Sequence, residues 1–273
     1  MNETFDIKRF GKLLQYEVVN YIPNFFKSLL IFASVIAAVW IFSLTVDFPV
    51  LPNGRELLVT PLFALAIVLS PFIVYKDMNN RKKGYIYAMM PASTLEKLLS
   101  MMVLCIVLVP VITYVVLTGT DLMLWALSSA GIGSFYEMEM YNPFEGVFPQ
   151  EMYYDTVQQQ LYSMPIFDTI ISFMNAIAYS MMFNTIFRKN KVLKTILFNI
   201  SMSFAFVILM SVIINTVSVE FWEEMADKLA DWLKDMEIED FMEYIRAAGR
   251  YLTILFIAIF LSITYFRIKK VKY

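Results

Sequence analysis

The residue types that carry most active-site chemistry are scarce in this chain of 273 residues. It contains no His, which excludes His-ligated zinc, His-ligated haem and Ser–His–Asp triads. Its one cysteine, Cys105, has no intrachain disulfide partner and builds no thiolate metal site alone. Glu223 and Glu224 form the paired carboxylates that intramembrane metalloproteases use, but those enzymes also need His ligands. Glu137, Glu139, Glu145, Glu151 and Asp155 offer the oxygen ligands that hard cations take, yet their spacing matches no calcium loop. Asp168 and Glu220 stand alone in the sequence, without the cluster that a lipid-processing enzyme requires. No glycine, Gly84 and Gly131 included, opens a G-x-x-x-x-G-K-[ST] nucleotide loop. The expectation is a non-enzyme with no cofactor, no metal site and no nucleic-acid partner. Any uphill work must be driven by another subunit.

The elements that would position such residues are long and apolar. Hydrophobic residues make up 59% of the chain and charged ones 17%, with a mean hydropathy of +0.62; soluble domains average about 45–50% and about 25%. A helix needs about 20 apolar residues to cross a bilayer. Six uncharged runs meet or approach that length: Ser28–Val46, Leu57–Tyr75, Leu98–Thr120, Thr169–Phe187, Thr195–Val219 and Tyr251–Phe266. The last is the shortest, and Arg250 and Arg267 bracket it, able to snorkel to the headgroups. Leu122–Tyr136 is short and rich in Ser and Gly, and it reads as an interfacial or re-entrant piece. The first run is span-length and no A-x-A site follows it, so it reads as a retained helix and not a signal peptide. The expected fold is an all-α integral membrane protein of one domain with six transmembrane helices.

Lysine and arginine sort to one side of that threading. With both termini cytoplasmic, 17 of the 22 basic residues fall inside with 5 acids, and 19 acids fall outside. The sides then carry net charges of +12 and −14, as the positive-inside rule requires. A seventh span at Leu122–Tyr136 would place Arg188–Lys194 outside and spoil the division. The expected location is the bacterial cytoplasmic (inner) membrane.

Between the spans, residues 1–24 place Phe10, Leu13, Leu14 and Val18 at helical spacing, which suggests an amphipathic helix at the cytoplasmic interface. Pro23 is expected to break it before the first span. The loop 76–97 carries Arg81, Lys82 and Lys83, then a chain break at Pro91–Ala92. Ser93 or Thr94 is placed to cap a helix that starts near Leu95 and holds Glu96 and Lys97 in its first turn. The segment 121–168 has no Lys or Arg and suits an extracytoplasmic place. In 220–249, Trp222, Met225, Leu229, Leu233 and Met236 follow one helix face, so extracytoplasmic helices are expected between spans five and six. Pro61, Pro71 and Pro110 are expected to kink spans two and three. Ser172–Ala176–Ser180 and Ser201–Ala205 are small-xxx-small patterns that allow close helix contact. No acid or base lies mid-span, which argues against a proton path.

This layout resembles the permease subunits of ABC transporters of the ABC-type-two, exporter-like class. The resemblance lies in the amphipathic start, six spans with both ends inside, a basic first cytoplasmic loop running into "MMPASTLEKLLS" (Met89–Ser100), and outer helices before the last span. The segment is similar to "LPAS-x-x-E-K" of bacterial members, with Met90 in place of Leu. The resemblance implies a homodimer or heterodimer of permeases bound to separate ATP-binding subunits. It places the ATPase contact at Lys12, Glu17, Arg81, Lys82, Lys83, Ser93, Glu96 and Lys97. Polarity alone suggests Asn175, Asn199 and Ser203 along a translocation path. A non-transporting membrane interaction or sensor protein with an acidic outer face is the competing reading.

Overall fold

The computed structural model describes residues 5–46, 54–78, 84–129, 152–154, 161–163, 166–216, 221, 224, 227–228 and 238–270. Its main helices are α1 (Ile7–Val46), α2 (Gly54–Val74), α3 (Gly84–Met89), α4 (Thr94–Met102), α5 (Val109–Ser129), α6 (Ile166–Ile186), α7 (Lys191–Thr216) and α8 (Ile238–Lys270). A π-helical segment, Val103–Leu108, joins α4 to α5. The strands β1 (Met152–Tyr154) and β2 (Leu161–Ser163) form a short antiparallel ribbon with Tyr153 opposite Tyr162. Among the described residues, five stretches are long and apolar enough to cross a membrane: Ile7–Phe42, Thr94–Leu127, Phe167–Ile186, Lys191–Ile213 and Glu243–Lys270. Val59–Val74 is a shorter apolar helix at the place of the predicted second span. The chain is thus a helical bundle with the character of a multi-pass membrane protein.

Three predicted boundaries are corrected. Pro23 does not break the chain, because α1 runs through it for 40 residues, about 60 Å. Proline removes one i→i−4 bond, here the one to Val19 O; the side-chain bonds of Asn20 to Tyr16 O, Asn24 to Asn20 O and Ser28 to Asn24 O go to other carbonyls and do not replace it. Phe25 and Leu29, both fully buried, then hold the next turns in the core. The amphipathic start is therefore the lower half of the first long helix and not a separate interfacial piece. Secondly, residues 122–129 are the end of α5, continuous with the third span, so that part of Leu122–Tyr136 is not a re-entrant element; residues 130–136 lie outside the described set. Asp121 is likewise inside α5 and buried. Thirdly, residues 238–249 continue unbroken into the last span as one helix of 33 residues; no proline interrupts the run, and Gly249 is carried within it despite its low helix propensity. Trp222, Met225, Leu229, Leu233, Met236 and the acids Glu137 to Asp155 lie outside the described residues.

The core explains the π segment. Met101, Cys105, Val109, Thr113 and Leu117 are all fully buried at a spacing of four. On an α-helix of 3.6 residues per turn that spacing drifts by about 40° at each step. The Val109 N–H reaches Leu104 O, five residues back, and this wide turn takes up a residue. Pro110 follows at once, where a regular turn would lack its donor. These residues pack with Phe25, Leu29, Ile36 and Trp40 of α1, Phe63, Ala66 and Ile67 of α2, and Ile177 and Met181 of α6. In contrast, every described side chain of α7 from Ile196 to Ile213 is exposed, so this stretch is unpacked within the chain.

Candidate docking site at the basic end of the bundle

Two helices begin at one point. Asp6 caps α1, with Lys8 N donating to Asp6 Oδ1 at 2.8 Å. Ser93, in extended conformation, caps α4 in a capping box: Glu96 N donates to Ser93 Oγ at 3.2 Å and Ser93 N to Glu96 Oε2 at 2.8 Å. The second oxygen of Glu96 then reaches α1. Its Oε1 accepts from Asp6 N at 2.8 Å and from Arg9 Nη2 at 2.9 Å. One buried carboxylate thereby serves the N-termini of both helices, where the backbone dipoles favour negative charge.

A second buried carboxylate lies deeper. Glu17 of α1 is 0% exposed, and its Oε2 accepts from Tyr75 Oη at 2.7 Å and from Ser100 Oγ at 2.5 Å. Three elements, α1 itself, the residue that follows α2, and α4, are therefore pinned at one spot. An unpaired buried carboxylate is costly, and hydroxyl donors offset that cost. Lys97 sits beside this spot over the Tyr87 ring, 5.2 Å from its centroid. Its Nζ donates to Tyr87 O at 2.8 Å and to Ala88 O at 3.3 Å, closing the end of α3 as cations do at helix C-termini.

Tyr75 joins this cluster to the rest of the bundle. Its ring meets Tyr21 and Tyr87 edge-on, with centroids 5.5 and 6.2 Å away. Its carbonyl accepts from Lys191 Nζ at 3.1 Å, and the same ammonium donates to Asn184 Oδ1 at 2.7 Å. The turn between α6 and α7 is sharp because Asn190 takes a left-handed φ of 52°, which Asn tolerates. Arg267 Nη2 of α8 donates to Ile186 O at 3.3 Å. The start of α1, the α2–α4 connection, the α6–α7 turn and the end of α8 thus meet at one end of the bundle. They are the four segments that carry the predicted basic clusters. At the opposite end Arg250 grips Asp168 through Nε and Nη2, so the carboxylate that stands alone in sequence is paired in space.

The predicted contact residues separate into two groups. Lys12 is exposed and available to a partner. Glu17, Ser93, Glu96 and Lys97 are buried, so their side chains shape this surface and do not reach beyond it. Arg81, Lys82 and Lys83 lie outside the described residues. Around the capping box the surface is apolar: Ile7 is 74% exposed, Met89 78% and Leu95 44%. Of the predicted path, Asn199 is exposed and accepts a hydrogen bond from Tyr179 Oη. Ser203, on the same helix, is exposed as well. The Asn175 Oδ1 is buried without a hydrogen-bond partner among the described residues. Sequence reasoning missed Tyr75, Ser100, Asn184 and Lys191 as parts of one cluster; the mixed polar and aromatic run at the ends of adjacent spans is the signal that marks them.

The cluster holds helices together, with the Ser100 and Tyr75 hydroxyls turned onto the fully buried Glu17 carboxylate. Among the described residues no group of three or more His, Cys, Asp or Glu side chains could hold a metal ion. No family model matches the chain, and neither the curated proteins nor the solved structures yield a significant match.

Proposed function

We propose that this chain is the membrane-spanning permease subunit of an ABC-type exporter, energised by a separate ATP-hydrolysing subunit that docks on the basic end of the bundle. The observation that carries the reading is the junction at Glu96. The two segments to which the resemblance assigns ATPase contact, the start of α1 and Ser93–Lys97, are joined there into one unit. An exposed apolar rim of Ile7, Met89 and Leu95 surrounds it, with Lys8 and Lys12 beside it. Exposed apolar surface ringed by charge is what a stable protein partner covers. In this reading the basic end faces the cytoplasm, six spans cross the bacterial inner membrane, two permeases form the transport unit, and Asn175, Asn199 and Ser203 border the substrate's path.

The test is purification of tagged protein from its own membranes in mild detergent. An ATP-binding subunit should accompany it. Leu95→Asp with Met89→Asp should lose that subunit while the chain still inserts and folds. Recovery of the native chain alone, repeatedly and in good order, would refute the docking.

A further inference from the structure

We propose that the start of α1, α3 and α4 move as one body relative to the membrane core, about two weakened points: Pro23 in α1 and the π segment before Pro110. The two ties between α1 and α4 are Glu96 to Asp6 and Arg9, and Glu17 to Ser100. Both lie on the basic side of Pro23 and of Val103. Above the ties, both helices lose regular hydrogen bonding within a few residues. Pro23 offers no N–H to Val19 O, and Pro110 none to Ile106 O. The Val103 N–H is shared between Leu99 O and Ser100 O, and the Val109 N–H skips to Leu104 O. Wide turns of this kind recur at functional sites, and prolines and wide turns are where helices bend.

Beyond these points the helices are fixed again. Phe25 and Leu29 above Pro23, and Thr113 and Leu117 above Pro110, are all 0% exposed. A latched lower unit, a firm upper core and two interrupted turns at the junction make a hinge. Tyr75 is the strap: its phenol follows Glu17 and its carbonyl holds Lys191, so tilting the unit pulls on the start of α7. Packing of α8 on α4 is the restraint the motion must slide past. This inference concerns the chain alone and goes beyond the docking proposal.

The test is spin-label distance measurement on the full chain in lipid nanodiscs, in a Cys105→Ser background, with no ATPase present. One pair lies within the unit (Lys12→Cys, Leu95→Cys), and one joins the unit to the core (Leu95→Cys, Val115→Cys). The within-unit distribution should be narrow and the unit-to-core distribution at least about twofold broader. Pro110→Ala restores a donor to the turn and should narrow the broad distribution; Pro23→Ala should do the same and serves if Pro110→Ala fails to fold. A unit-to-core distribution as narrow as the within-unit one overturns the hinge. Equal breadth in both pairs overturns the rigid unit, and indifference to both proline substitutions overturns the assigned pivots. Because no partner is present, failure here leaves the docking proposal standing, and loss of the partner leaves the hinge standing.

Discussion

Substitution of Glu17 separates hydrogen-bond acceptance from charge as the force that holds the basic end together. Glu17 is fully buried, and its Oε2 takes bonds of 2.7 and 2.5 Å from Tyr75 and Ser100. Glu17→Ala strands two buried hydroxyls, at about 1–3 kcal/mol each. It also relieves the cost of keeping a carboxylate away from water, which returns part of that loss. A net destabilisation of about 2–4 kcal/mol follows. Glu17→Gln keeps an oxygen in the same place without the charge, so it should stay within about 1 kcal/mol of the native chain. Thermal unfolding of the three proteins in one detergent reads the difference: a drop of roughly 5–15 °C for Ala and a small change of either sign for Gln. If Gln falls as far as Ala, the charge and not the acceptor is what the site needs. If neither moves the transition, the buried bonds carry no weight and the account of this end fails.

Four further outcomes are expected. Glu96→Ala should free the start of α1 and speed amide hydrogen exchange at residues 6–10 and 93–97 by at least about tenfold, measured by mass spectrometry, while Leu104–Val109 stays protected. Lys191→Met removes the donor to Tyr75 O and Asn184 Oδ1 and should cost about 1–3 kcal/mol in the same unfolding assay. Asp168→Asn should cost under about 1 kcal/mol, with the gap closing as salt rises, because that pair is partly exposed to water; Arg250→Lys should not replace its two-pronged grip. Thiols introduced as Glu145→Cys and Lys189→Cys should be labelled by an impermeant maleimide from opposite faces of sealed vesicles, and labelling from one face would overturn the threading.

What the sequence determined was local or compositional. The long apolar helices follow from uncharged runs, because a bilayer forces the backbone to satisfy its own hydrogen bonds. The cap of α4 was legible to within one residue, Ser93 or Thr94, because capping bonds span only a few residues; the return bond of the Glu96 side chain to Ser93 N was not foreseen. The basic clusters were legible because they are short local runs of lysine and arginine between apolar segments. The close helix contact expected at Ser201–Ala205 is not made within the chain, where both side chains are exposed.

Tertiary structure alone decided the rest. Glu17 meets Tyr75 and Ser100 across 58 and 83 positions, Glu96 meets Asp6 across 90, and Asp168 meets Arg250 across 82. No periodicity encodes such partners, since they depend on which helices lie side by side. The same holds for Pro23 and for the π turn. A proline's cost of about 3 kcal/mol argues for a break when α1 is read alone, and the packing of Phe25 and Leu29 outweighs it. The spacing of four from Met101 to Leu117 is only a drifting stripe until a core exists that needs all of it on one face; then the helix widens by a residue to keep it there.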